Sequence, residues 1–125
     1  MKYLCLAYEE EAVLAGLTKD EWAALRRETL EYVADLAAQG RLLGAEPLKS
    51  ARHAVTLQVR GGKLSVSDGP FAETKEQIGG YFLIEARDLN EAIQIAARWP
   101  SARLGTIEVR AVEQGLDEDG RYPPT

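Results

Sequence analysis

From Lys2 to Tyr8, Leu4 and Leu6 fall on one side of an extended chain and Tyr3, Cys5 and Ala7 on the other. Successive strand side chains point to opposite faces, so this segment is apolar on both and predicts a central strand. Tyr81 to Ala86 repeats the pattern with Tyr81, Phe82, Leu83 and Ile84 in succession, and belongs beside it in the sheet centre. After a loop through Gly16 the period changes. Trp22, Leu25, Thr29, Tyr32, Val33, Leu36 and Ala37 recur at helical spacing, which predicts a long helix. Thr18 and Glu21 stand at capping-box spacing at its start, Leu17 can staple onto Trp22, and Gly40 is available to end it in a left-handed conformation. Trp22, Tyr32 and, further on, Trp99 read as core.

Leu42 to Leu48 is a short extended segment that Pro47 confines to an edge or an end. Val55, Leu57 and Val59 alternate with polar residues, as do Leu64 and Val66 beyond Gly61-Gly62, and two glycines between such runs predict a hairpin. Asp88 caps a second helix whose buried stripe is expected at Leu89, Ala92, Ile93 and Ala96, and Pro100 stops it. Thr106 to Val112 is the last strand. Residues 1–112 thus form one domain, and 113–125, with Asp117-Glu118-Asp119-Gly120 and Pro123-Pro124, a polar tail.

This order predicts an α+β, ferredoxin-like fold: a mostly antiparallel sheet with both helices on one face. Central strands that are apolar on both sides then leave the other face as an exposed apolar patch. A second copy of the chain, packing sheet to sheet into a dimeric α/β barrel, covers it; loop or tail segments are the alternative cover.

Composition narrows the function without naming it. Net charge is −5, with 15 Lys and Arg against 20 Asp and Glu, which disfavours direct nucleic-acid binding. The N-terminal apolar run gives way at once to Glu9-Glu10-Glu11, too soon for a signal peptide or membrane span, so a cytoplasmic location is expected. One cysteine and one histidine make no disulfide and no usual metal site, and no phosphate-cradling loop of Walker or dinucleotide type calls for a cofactor. Cys5 reads as a small buried hydrophobe in a strand.

The distinctive segment runs from Ser67 to Tyr81. Structurally, Asp68-Gly69-Pro70 ends a strand, Phe71 plugs the core, Glu73, Lys75 and Glu76 form a solvated rim, and Gly79-Gly80 permits a bulge or a close backbone approach. Functionally, Asp68 at a strand end, beside Glu73, Glu76 and the amides of Gly69, Gly79 and Gly80, has the makings of a general base, with Tyr81 as a hydroxyl donor.

Asp68-Gly69-Pro70-Phe71, followed by Ala72-Glu73-Thr74-Lys75-Glu76 and Gly79-Gly80-Tyr81-Phe82, resembles the signature of the DGPF branch of the YCII-related family. The likeness extends from Met1-Lys2-Tyr3 to Glu108-Val109-Arg110. It implies a dimeric α/β barrel and an enzymatic activity suspected from a His–Asp dyad. Asp68 matches the acid of that dyad; the only histidine, His53, stands at a strand entrance and not on the first helix. The resemblance also implies an accessory role beside sigma-factor-type transcription proteins. Two classes of function follow: a small-molecule binding protein or enzyme using Asp68, Gly69, Pro70, Phe71, Glu73, Glu76, Gly79, Gly80, Tyr81 and His53, or a non-enzymatic dimeric regulator with a protein partner.

Overall fold

The computed structural model describes residues 1–114, so the expected tail lies almost wholly outside the described residues. Among these the chain forms β1 Lys2–Glu9, α1 Glu11–Ala15, α2 Lys19–Ala38, β2 Leu42–Pro47, β3 Val55–Arg60, β4 Lys63–Asp68, β5 Gln77–Glu85, α3 Leu89–Ala97 and β6 Thr106–Ala111. Short 3₁₀ turns occupy Ala51–His53 and Pro100–Arg103. Four strands pair antiparallel in the order β2-β5-β1-β6, with the two both-side-apolar strands at the centre and Pro47 on the edge strand β2. This order, with α2 between β1 and β2 and α3 between β5 and β6, is compatible with a ferredoxin-like fold.

Local chemistry places α2 as expected. The Glu21 amide donates to Thr18 Oγ1 at 3.1 Å while the Thr18 amide donates to Glu21 Oε1 at 2.9 Å. At the other end Gly40 takes φ 71°. The Gly40 amide donates to Ala37 O and the Arg41 amide to Leu36 O, the paired bonds of a Schellman stop.

The core lies between the sheet and the two long helices. Tyr3, Cys5, Phe82 and Ile84 meet Tyr32 and Leu36 of α2 and Ala92, Ile95 and Ala96 of α3. Trp99 stacks on Phe82 with ring centroids 3.9 Å apart, and the Tyr32 hydroxyl donates to Ile95 O at 2.7 Å, tying α2 to α3. Cys5 is buried as expected, and burial pushes its thiol up to about 12, so it stays protonated. On the opposite face Leu4 pairs with Leu83 and Leu6 with Tyr81; these side chains are only partly buried, because both long helices lie on the other side.

Five expectations change. The loop before Gly16 contains the short helix α1. Trp22 is half exposed and Ala37 exposed, because the α2 core contact narrows to Tyr32 and Leu36 with Val33 packed alongside. In α3, Leu89 and Ile93 are exposed and Glu91 and Ile95 are buried. Burial of Glu91 is tolerable because it accepts from the Arg87 Nε at 2.6 Å and the Arg87 amide at 3.2 Å, which satisfies its charge. The β3–β4 hairpin forms where predicted but as a separate two-stranded sheet. Phe71 is no core plug: it is 82% exposed.

Candidate functional site

The residues singled out from the sequence fall around three concave surfaces. Asp68, Gly69, Pro70 and Glu73 line a depression of about 420 Å³ together with Glu11 and Arg52. His53, Pro70, Phe71 and Glu76 line a neighbouring one of about 590 Å³. Gly79, Gly80 and Tyr81 border a crevice of about 570 Å³ under α2. Asp68 ends β4 and Gly69 takes φ 99°, as the turn chemistry predicted, and Glu73, Lys75 and Glu76 form the solvated rim. His53 is exposed at the end of its 3₁₀ turn, and no hydrogen bond joins it to Asp68 among the described residues.

The crevice under α2 has the most developed chemistry. One wall is α2, with Trp22, Leu25, Arg26 and Thr29; the floor is the helix-side surface of β1, β2 and β5, and Phe82 and Trp99 close its inner end. A 570 Å³ space lined mainly by apolar and aromatic groups suits a small organic molecule. The Gly79-Gly80 pair shapes it. β5 begins at Gln77, so both glycines lie within the strand, where the β1–β5 register shifts between Ala7 and Tyr8 and leaves Gly79 unpaired as a bulge. A Cβ on Gly79 would overlap the Glu9 carboxylate, and one on Gly80 would press to 3.0 Å on the Glu46 carbonyl of β2. At Gly80 the obstacle is backbone, whereas at Gly79 it is the end of a flexible side chain that can turn aside. Tyr81 alternates with Phe82 and so belongs to the face away from the helices, although it too borders the crevice.

Glu9 is the functional candidate that sequence reading missed, hidden in the triplet Glu9-Glu10-Glu11. The three differ once folded. Glu11 accepts from the Ala51 amide at 3.0 Å, and hydrogen bonds hold its carboxyl below the usual range. Glu10 lies 3.7 Å from Lys75 Nζ. Glu9 has neither hydrogen bond nor ion pair among the described residues; burial, and secondarily the charge of Glu11, raise its pKa. A raised carboxyl makes the folded chain hold its proton longer than the unfolded chain does. Stability then falls as pH rises from the ordinary glutamate value, about 4.3, through the raised one. Glu9→Gln removes that loss, so urea denaturation should find the variant more stable than the parent at pH 7, with the gain shrinking toward pH 3.5. An equal difference at both pH values would show that Glu9 does not titrate abnormally.

Fold and crevice together define a small α+β domain with a largely apolar crevice between α2 and the sheet. A family model for the YCII-related domain matches residues 1–115. An uncharacterised protein of Rhizobium meliloti (strain 1021) is 35% identical over 125 residues, covering 98% of this chain and 99% of that one. The chain belongs to the YCII-related family. In fold it is similar to the 5-chloro-2-hydroxyhydroquinone dehydrochlorinase of Burkholderia phenoliruptrix AC1100, solved in complex with 2,5-dihydroxybenzoquinone. That likeness has a TM-score of 0.51 at 18% identity and covers 92% of this chain and 96% of that one.

Proposed function

We propose that this protein binds, and by proton transfer transforms, a small planar molecule carrying an acidic ring hydroxyl in the crevice between α2 and the sheet. The observation that carries this reading is an unpaired carboxyl with a raised pKa, Glu9, at an aromatic-lined pocket. Half-exposed Trp22 offers flat apolar surface to a ring, and the stacked pair Phe82 and Trp99 closes the inner end behind it. A carboxyl moved toward neutrality both takes and returns a proton effectively, the property a general acid–base needs. Arg26 on the α2 wall supplies positive charge for the oxyanion that proton removal leaves. The hydroxyquinone held by the structurally similar dehydrochlorinase has this ring-and-hydroxyl chemistry and supports the choice of ligand class. The working unit in this reading is a homodimer formed through the uncovered sheet face.

A second reading keeps Asp68 as the base, because Asp68, Gly69, Pro70 and Glu73 do gather around one depression with Arg52 opposite. Calorimetric titration with 2,5-dihydroxybenzoquinone separates the two. Under the first reading the parent binds saturably, Glu9→Gln and Trp22→Ala each weaken binding about tenfold, of the order of one lost hydrogen bond or aromatic contact, and Asp68→Asn leaves it within twofold. The chain's two tryptophans, Trp22 and Trp99, both line the crevice, so their fluorescence should change with the same saturation. Loss with Asp68→Asn but not Glu9→Gln would move the site to Asp68. Absence of saturable binding by a panel of hydroxylated quinones and phenols would overturn both.

A further inference from the structure

The β3–β4 hairpin is the least explained part of the fold. Its register sets Leu57 opposite Val66 and Val59 opposite Leu64, with Val55 continuing the same face. All five are 56–65% exposed, while the reverse face carries Thr56, Gln58, Arg60, Lys63, Ser65 and Ser67. The ribbon is thus greasy on one side and polar on the other, as if shaped for a single cover. A lone two-stranded ribbon is marginal in water, and five adjoining large apolar side chains expose several hundred Å², more than a monomer usually tolerates.

The hairpin is not loosely attached. At its base the Gly69 amide donates to Ala54 O at 2.7 Å and the Thr56 hydroxyl to Gly69 O at 2.8 Å. It is also continuous with the uncovered sheet face: Tyr8 and Ile78 line the 590 Å³ depression together with Ala54, Pro70 and Phe71 at the foot of the hairpin. One protomer therefore presents two joined apolar surfaces.

We infer that the hairpin is a dimer arm: its apolar face, Val55, Leu57, Val59, Leu64 and Val66, packs on a second copy of this chain at the rim of the uncovered sheet. A second copy is the occupant that needs no matching coincidence, since one two-fold pairing covers the sheet face and the arm of both protomers at once. Hairpin, Phe71 and sheet face together approach the roughly 800 Å² per partner of a stable interface. The one charge on the apolar face, Asp68 opposite Val55, sits at the foot of the hairpin, and the stretch of that face from Leu57 to Val66 carries none that would select an acidic or basic foreign protein. This inference rests on the homodimer proposed above and adds the segment that completes it.

The test is sedimentation equilibrium of the full chain and of the double variant Leu57→Asn, Val66→Asn. Both side chains already face solvent in the protomer, so circular dichroism and tryptophan fluorescence of the variant should match the parent. The parent should be a dimer, with its dissociation constant raised at least a hundredfold in the variant. A parent dimer with the variant unchanged would overturn the arm and leave the homodimer standing. A parent that stays monomeric at several hundred micromolar would overturn both. Should the variant fail to fold, hydrogen exchange of the parent decides: β3–β4 amide protection should rise with protein concentration, and concentration-independent exchange would overturn the arm.

Discussion

Replacing Phe82 by alanine should cost the domain about 3–5 kcal/mol, read as a lowered urea midpoint with an unchanged slope. Phe82 is fully buried at the centre of the sheet, and its ring lies against Trp99 at 3.9 Å and 8°. Its strand neighbours on that face are Cys5 of β1 and Ala45 of β2, both too small to swing into the space the ring would vacate. The cavity therefore persists, and loss of packing adds to loss of burial. Trp99 loses its stacking partner and keeps only the edge contact with Tyr32 at 6.1 Å, so the near-ultraviolet dichroism should collapse even where the domain stays folded. Set against the 5–15 kcal/mol of a typical domain, this is a large fraction. A change below about 1.5 kcal/mol, the range of volume-conserving swaps, would contradict a close-packed helix-side core.

The strands that mattered most were legible because their pattern is physical. A segment apolar on both faces has to sit between neighbours, and β1 and β5 do; a proline demotes a strand, and β2 is an edge. The caps of α2 were legible for the same reason, since Thr18, Glu21 and Gly40 act through backbone atoms nearby in sequence. What depends on partners far along the chain was not. Alternation assigned faces to the β3–β4 hairpin but not the sheet it would join. Periodicity in α3 favoured Leu89 and Ile93 over Glu91, because nothing local reveals that Arg87 would meet the carboxylate there. The Asp68-Gly69-Pro70 turn was visible in its residue types, whereas the crevice was not. Its acid, Glu9, differs from Glu10 and Glu11 only through the bulge at Gly79 and the burial that follows, and register across β1 and β5 is written in no single segment.

Two glycine substitutions of identical size should behave in opposite ways. A Cβ on Gly105 would run into the Tyr8 carbonyl and approach the Glu9 Cα at 3.4 Å, backbone of the central strand that cannot withdraw without breaking the β1–β6 ladder. Gly105→Ala should therefore destabilise by about 3 kcal/mol, the upper part of the over-packing range. A Cβ on Gly79 meets only the end of the Glu9 side chain, which has no partner to lose and turns aside by rotating about its own bonds. Gly79→Ala should cost under about 1 kcal/mol yet displace the carboxyl from the crevice. Binding of 2,5-dihydroxybenzoquinone would then weaken as far as in Glu9→Gln, and combining the two changes would add nothing further. If Gly79→Ala instead bound the quinone like the parent, with Glu9 displaced in its crystal structure, proton transfer at this crevice could not depend on Glu9, and the proposed chemistry would have to be sought elsewhere.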